Sequence, residues 1–169
     1  MTVSTRCTPI LFVLLASCSI LFGDDESREV ADCEGNLADN PGFESEILSW
    51  NSNDRTSISH QTEVVRTGQG AGRIESGGDS NGNIALGIDV PSPGKYEFSA
   101  FFNCESPTEF RIELVESGAF ERTEISLSCD DWQGFKVEKM LTSSAQAKIY
   151  SWAADSVNFV DDICIRAAP

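Results

Sequence analysis

From Tyr96 to Phe102 the chain reads Tyr-Glu-Phe-Ser-Ala-Phe-Phe, with an apolar residue at every second position. Residues two apart share one face of a β-strand, so Tyr96, Phe98, Ala100 and Phe102 form an inward face. Glu97, Ser99, Phe101 and Asn103 then look the other way. The same period recurs at Phe110, Ile112 and Leu114 against Arg111 and Glu113, and at Phe135 and Val137 against Lys136 and Glu138. No helical period is sustained after Asn36. Strands are expected over Thr56–Val64, Gly72–Glu75, Ile84–Val90, Lys95–Asn103, Glu109–Val115, Thr123–Leu127, Gly134–Leu141, Lys148–Trp152 and Asn158–Ile165. Turn residues mark the gaps at Gly68-Gln69-Gly70, Gly77-Gly78, Pro91-Ser92-Pro93-Gly94, Ser106-Pro107 and Ser117-Gly118. Strands that recur roughly every ten residues, with one wet face and no helices between them, make an all-β antiparallel sandwich.

The ends of the chain bound where such a domain works. Pro9 to Phe22 is nearly all apolar. As a helix it covers about 21 Å, short of the roughly 30 Å of a bilayer core, so residues 1–23 read as a secretory signal peptide. Leu15-Ala16-Ser17-Cys18 resembles a bacterial lipobox, which implies lipidation of Cys18; ordinary cleavage near Gly23 would discard it. Residues 24–35 are an acidic tether and 36–169 the sandwich. With 27 acidic and 12 basic residues the net charge is -15. Such a surface repels nucleic acid and anionic lipid, so membrane contact is expected only through a lipid anchor. The expected location is exported: a bacterial cell-envelope lipoprotein or a secreted protein.

Four cysteines remain after the leader, Cys33, Cys104, Cys129 and Cys164. An even number in an exported chain implies two disulfides, with three possible pairings. The preferred pairing joins the two ends of the domain through Cys33–Cys164 and the exits of two core strands through Cys104–Cys129. No cysteine pair has zinc-ligand spacing, and His60 is the only histidine.

Catalytic patterns are weak. Gly78-Asp79-Ser80-Asn81-Gly82 fits a nucleophile elbow, but a β-like segment follows it, and His60 lies in another strand. The same loop spaces Asp79, Asn81 and Asn83 as in a calcium loop, yet lacks the closing Glu. Adjacent carboxylates such as Glu44–Glu46 and Asp130–Asp131 are expected by chance in so acidic a chain. No catalytic residue is assigned.

The two ends carry a better-motivated pair. Asn36 to Trp50 contains a Pro-Gly turn, then Phe43, Glu44 and, further on, Trp50; the far end reads Phe159-Val160-Asp161-Asp162-Ile163. Carboxylates that interrupt apolar strands need partners. If the ends lie side by side, Glu44 and Asp161, with carbonyls freed at the turn, suit a hard calcium ion. The alternative is that both are exposed or paired with Lys or Arg.

Asn36–Glu44 followed by Trp50, Val64–Ser76, Pro91–Phe102, Trp132-Gln133-Gly134-Phe135 and the terminal Phe159–Ile165 together resemble carbohydrate-binding modules of families four, nine and twenty-two, which share a galactose-binding-like jelly roll. The resemblance implies adjacent first and last strands and a structural calcium held by Glu44 and Asp161, with Asp162 beside them. It places Trp50 and Trp132 in the core and implies binding of a polysaccharide or cell-surface glycan without catalysis. Candidate sugar contacts are Phe101, Glu97, Arg111, Glu113 and Trp152, with Tyr150 and Trp152 sharing one strand face. The competing reading of the same fold is an envelope protein that binds another protein or is purely structural.

Overall fold

A computed structural model describes residues 33–169 apart from 48, 54, 78–81 and 152–154. The leader with its lipobox and Cys18, the tether up to residue 32, the Asp79–Asn81 loop with Ser80, and Trp152 lie outside the described residues. Ten strands follow in order: β1 Trp50–Ser52, β2 Thr56–Gln61, β3 Ala71–Ser76, β4 Gly82–Ile88, β5 Gly94–Cys104, β6 Thr108–Glu116, β7 Ala119–Leu127, β8 Gln133–Leu141, β9 Ala145–Ser151 and β10 Val157–Ala167. They form two antiparallel five-stranded sheets, β1-β4-β9-β6-β7 and β2-β3-β10-β5-β8. This is the jelly-roll sandwich expected from the alternation. Only β1, three residues long, has no counterpart among the expected strands.

The period-two pattern decides the core. Tyr96, Phe98, Ala100 and Phe102 from β5 are buried against Phe110, Ile112 and Leu114 from β6 of the opposite sheet. Phe102 and Phe110 meet across the sandwich with ring centroids 4.5 Å apart, and such tilted pairs add to simple area burial. Trp50 is buried as expected. Trp132 is not: it precedes β8 in a bend and is half-exposed, because the alternation of β8 starts after it.

The two ends of the chain meet. β10 lies inside its sheet between β3 and β5. Pairing with β3 stops at Val160, and the segment from Asn36 to Pro41 takes over that edge. Leu37 N–H donates to Ile165 O at 2.7 Å, and Ile163 N–H donates to Pro41 O at 2.9 Å. The Asn36 side chain closes the seam, donating to Ile163 O and accepting from Ile165 N–H. Disulfides Cys33–Cys164 and Cys104–Cys129 form in the preferred pairing. Two disulfides in one domain fit an oxidising, extracytoplasmic compartment.

Away from the seam, one carboxylate organises the turn between β8 and β9. Glu116 accepts from the backbone N–H groups of Thr142 and Ser143, both at 2.6 Å, and from both hydroxyls. The Thr142 N–H foremost holds this carboxyl below the usual range. A carboxyl with a lowered folded-state pKa stabilises the fold above its unfolded pKa and loses that contribution as pH falls through the folded value. We therefore expect Glu116→Gln to lower Tm at about pH 7, with the gap to wild type narrowing as pH falls below the ordinary carboxylate range. Thermal melts of the two proteins across that range test it.

Candidate functional site

The outward residues of the β1-β4-β9-β6-β7 sheet form ordered rows. One row runs Asn51, Ala85, Lys148, Glu113, Arg122 across the strands. The next runs Asn83, Tyr150, Arg111, Glu124, and a third runs Gly87, Gln146, Val115, Phe120. Along β4 the outward side chains are therefore only Asn83, Ala85 and Gly87. A Cβ added at Gly87 would meet nothing within 4 Å. Beside this low strip stand Gln146, Lys148 and Tyr150 of β9, with Asn51 of β1 on its other side. The result is a trough about 13 Å long from Asn83 to Gly87, with a floor of small groups and walls of amides, an ammonium and a phenol.

The centre of this face is rigidly built. Glu113 is 3% exposed despite pointing outward. Arg111 Nε lies 2.6 Å from its Oε1, and the Arg111 guanidinium sits 4.3 Å from the Tyr150 ring centroid. A carboxylate buried this deeply needs its charge partner, and the guanidinium serves both it and the phenol ring. Tyr150 therefore faces outward, half-exposed. The inward positions of β9 are Ala145, Ala147, Ile149 and Ser151, all buried.

The opposite sheet carries the other expected residues, so the sugar contacts read from the sequence do not form one site. Arg111 and Glu113 lie on β6 of one sheet; Glu97 and Phe101 lie on β5 of the other, on the far side of the sandwich. Phe101 is covered: the Arg66 guanidinium lies 3.4 Å from its ring centroid. Glu97 is buried between Lys136, at 2.9 Å, and Arg166, at 3.8 Å. Both have structural partners in this arrangement.

What covers Phe101 is the loop from residue 62 to residue 70, and this loop is pinned by the acidic residues of the two chain ends. A bulge in β10 between Asp161 and Cys164, with Asp162 at φ +52°, brings the two successive aspartates to the same loop. Asp161 Oδ2 accepts from the backbone N–H of Arg66 at 2.9 Å and of Thr67 at 3.2 Å. Asp162 takes the Arg66 guanidinium and the Thr67 hydroxyl. Glu44 accepts from Gln69 N–H at 2.8 Å. Phe43, fully buried, is held at φ +52°. That backbone conformation costs a bulky residue about 1–3 kcal/mol, and it is kept where the surrounding packing over-determines it.

Glu44 and Asp161 approach each other over Gly42, where a Cβ would lie 3.0 Å from Glu44 Oε1 and 3.7 Å from Asp161 Oδ1. Neither forms an ion pair among the described residues. Burial, and then the charge of Asp162, push the Asp161 carboxyl up to about 7. Asp161 is fully buried and Glu44 is exposed beside it, and a divalent ion between them would relieve the buried charge. Asp162 differs from the expected ligand set, since it is committed to Arg66 and Thr67. Among the described residues no three His, Cys, Asp or Glu side chains converge. Glu44 and Asp161 therefore fit a calcium ion only if main-chain carbonyls and water complete the shell. His60 Nε2 is packed beside Gly70, 2.7 Å from where a Cβ would stand.

Neither the family models nor the curated proteins include a match to this chain. Solved structures do match. A family 61 carbohydrate-binding module in complex with β-1,4-galactotriose superposes with TM-score 0.64 at 16% identity, over 79% of this chain and 99% of that one. The CBM22-1 xylan-binding domain of Paenibacillus barcinonensis Xyn10C gives 0.63 at 14%, over 76% and 93%. Another family 22 xylan-binding domain gives 0.64 at 11%, over 80% and 97%. At these identities the likeness is one of fold: this chain has the architecture of carbohydrate-binding modules.

The loop geometry makes one glycine indispensable. Gly68 has φ +67°, and a Cβ there would lie 1.8 Å from Glu44 Oε1. We expect Gly68→Ala to cost about 1–3 kcal/mol, whereas Gly87→Ala, in an open strand position, gains about 0.5 kcal/mol. Urea unfolding of the two variants checks the opposite signs.

Proposed function

We propose that this protein is a non-catalytic, exported carbohydrate-binding module that lays a polysaccharide along the trough between β1 and β9. The observation that carries this reading is the trough itself. Asn51, Asn83 and Gln146 offer paired donors and acceptors for sugar hydroxyls, Tyr150 offers an apolar edge, and Ala85 and Gly87 leave room for the chain. The fold neighbours include modules whose structures are described with galactotriose and as xylan-binding, so β-1,4-galactan and xylan are the first ligands to try. Affinity electrophoresis on those polysaccharides should retard the wild type. Tyr150→Ala and Gly87→Val, the second filling the floor with a residue suited to a strand, should each weaken binding by about tenfold, or about 1.4 kcal/mol. A wild type that no polysaccharide retards would remove the reading.

A structural calcium belongs to the same proposal. Glu44 and Asp161, with nearby main-chain carbonyls, would hold the ion, which would supply charge that keeps Asp161 ionised and ties the 62–70 loop to the chain ends. Saturating calcium at about a hundred times Kd stabilises by about 2.7 kcal/mol, a Tm rise on the order of 10 °C for a domain of this size. We expect that rise on adding calcium after EDTA, and expect Glu44→Gln to abolish it. Equal melting with EDTA and with calcium, together with no heat of calcium binding, would rule the ion out.

A second reading keeps the fold and replaces the glycan with an envelope protein. The exposed Phe120, at 49%, and Met140, at 61%, favour it, as does the Arg111 side chain against the Tyr150 ring. In either reading the leader delivers the domain across the membrane. Cys18 then holds it there by a lipid, or is lost with the signal peptide; globomycin-sensitive processing separates the two.

A further inference from the structure

At one end of the sandwich, around the β1 edge from the trough, a pocket of about 630 Å³ opens between the β1–β2 connection, the end of β3 and the start of β10. That is within the range of small-ligand sites. Its wall includes Asn53, Arg55, Ser57, Arg73, Glu75 and Asp155. Among the described residues no aromatic ring lines it, and most lining residues carry hydroxyls, amides or charges. The polar side chains of this lining offer donors and acceptors to a polyhydroxylated ring.

The charges have different commitments. Arg73 is held between Glu75 and Glu105. Arg55 has an exposed side chain and no ion pair among the described residues. Its main chain is nonetheless fixed on both sides: Arg55 N–H donates to Asn53 Oδ1 at 3.2 Å, and Arg55 O accepts from Gly77 N–H at 2.9 Å. The guanidinium therefore projects from an anchored position at the pocket mouth, with a planar fork matched to a carboxylate. Beneath it the floor is firm. Ser76, Ser151 and Ser156 hydroxyls form a buried triangle with edges of 2.7 to 3.1 Å. Thr56 Oγ1, buried at the pocket wall, has no hydrogen-bond partner.

We propose that this pocket is a second saccharide site, for a sugar unit carrying a carboxylate, with the carboxylate on Arg55 and the ring hydroxyls on Asn53, Ser57 and Asp155. The net charge of -15 does not forbid an acidic ligand, because at physiological salt charges beyond about 8 Å are largely screened; within the pocket Glu75 is paired with Arg73, which leaves Asp155 as the acid that Arg55 must outweigh. The pocket stands independently of the trough, since it shares none of the trough's wall residues.

The test titrates the full domain with oligogalacturonate and with neutral β-1,4-galacto-oligosaccharide of the same length, by calorimetry or NMR. Wild type, Arg55→Gln and Gly87→Val are compared, with melting curves to confirm that each is folded. The expected result is at least tenfold tighter binding of the acidic sugar by wild type, a tenfold loss in Arg55→Gln, no change in Gly87→Val, and weakening with added salt. Three results would overturn the proposal: no preference for the acidic sugar or no binding of it, unchanged affinity in Arg55→Gln, or loss of binding in Gly87→Val, which would place the acidic sugar in the trough. Neutral-sugar binding lost in Gly87→Val while acidic binding persists would show two sites; failure of neutral binding alone would bear on the trough and leave the pocket standing.

Discussion

β10 is hydrogen-bonded along both edges, and the rest of the molecule depends on how its second edge is filled. β5 runs the length of one side. On the other, β3 covers only Val157 to Val160. Beyond that point the backbone of a fully buried strand would be left open, which costs more than most single side chains can repay. The segment from Asn36 to Pro41 closes it through two main-chain bonds and the Asn36 amide. The seam thus joins segments 127 and 129 residues apart along the chain. The Cys33–Cys164 link, spanning 131 residues, lies at the same seam. A covalent closure there restrains the unfolded chain more than a link of short span would.

The bulge that follows has consequences beyond its two residues. An extra residue in β10 lets both aspartates reach the 62–70 loop, Asp161 through the backbone N–H groups of Arg66 and Thr67 and Asp162 through their side chains. Three backbone N–H groups then point at Asp161, two from the loop and one from Asp162. Those bonds lower its pKa, yet burial and the neighbouring charge outweigh them. The loop is therefore fastened by an anion whose charge is expensive where it stands. Arg66 is the compensating element on one side, its guanidinium shared between Asp162 and the Phe101 face. This explains why an aromatic on an otherwise polar strand face is not a sugar platform: it is the base on which the loop rests.

Alternation made the strands and the core legible, because a period of two is a local property of each strand. It says which residues point outward; it is silent on which sheet a strand joins. Glu97 and Phe101 on β5 and Arg111 and Glu113 on β6 all read as outward, and the topology then sends them to opposite sides of the molecule. The trough was within reach of the same pattern. Small residues at the alternate positions Ala85 and Gly87, flanking inward Ile84, Leu86 and Ile88, mark a low strip in β4. Ala147 and Ile149 at the inward positions of β9 place Tyr150 outside. The meeting of Glu44 with Asp161 was legible because both interrupt apolar runs at the chain ends, whereas the commitment of Asp162 to Arg66 was not. It depends on a bulge, and a bulge adds one residue without leaving a mark in the hydrophobic pattern.

The two working faces of the sandwich are thereby separated by its core. On the trough side Glu109, Glu113 and Glu124 alternate with Arg111, Arg122 and Lys148, so that face is close to neutral within a chain of net charge -15. Local neutrality would let a polysaccharide approach without repulsion from the acidic surface elsewhere, and Glu113 stays buried beside its guanidinium. On the other side Arg66, Arg73, Lys95, Lys136 and Arg166 are all engaged in ion pairs, and Glu44 and Asp161, which have none among the described residues, stand where the chain ends meet. A metal bound there would act on the trough only through the rigidity of the sheets, since Tyr96, Phe98 and Phe102 stand between the two faces. If the proposed ion binds there, its removal would reduce the folded population while leaving the intrinsic affinity of each folded molecule unchanged. That is the behaviour of a stabilising site, distinct from one that takes part in recognition.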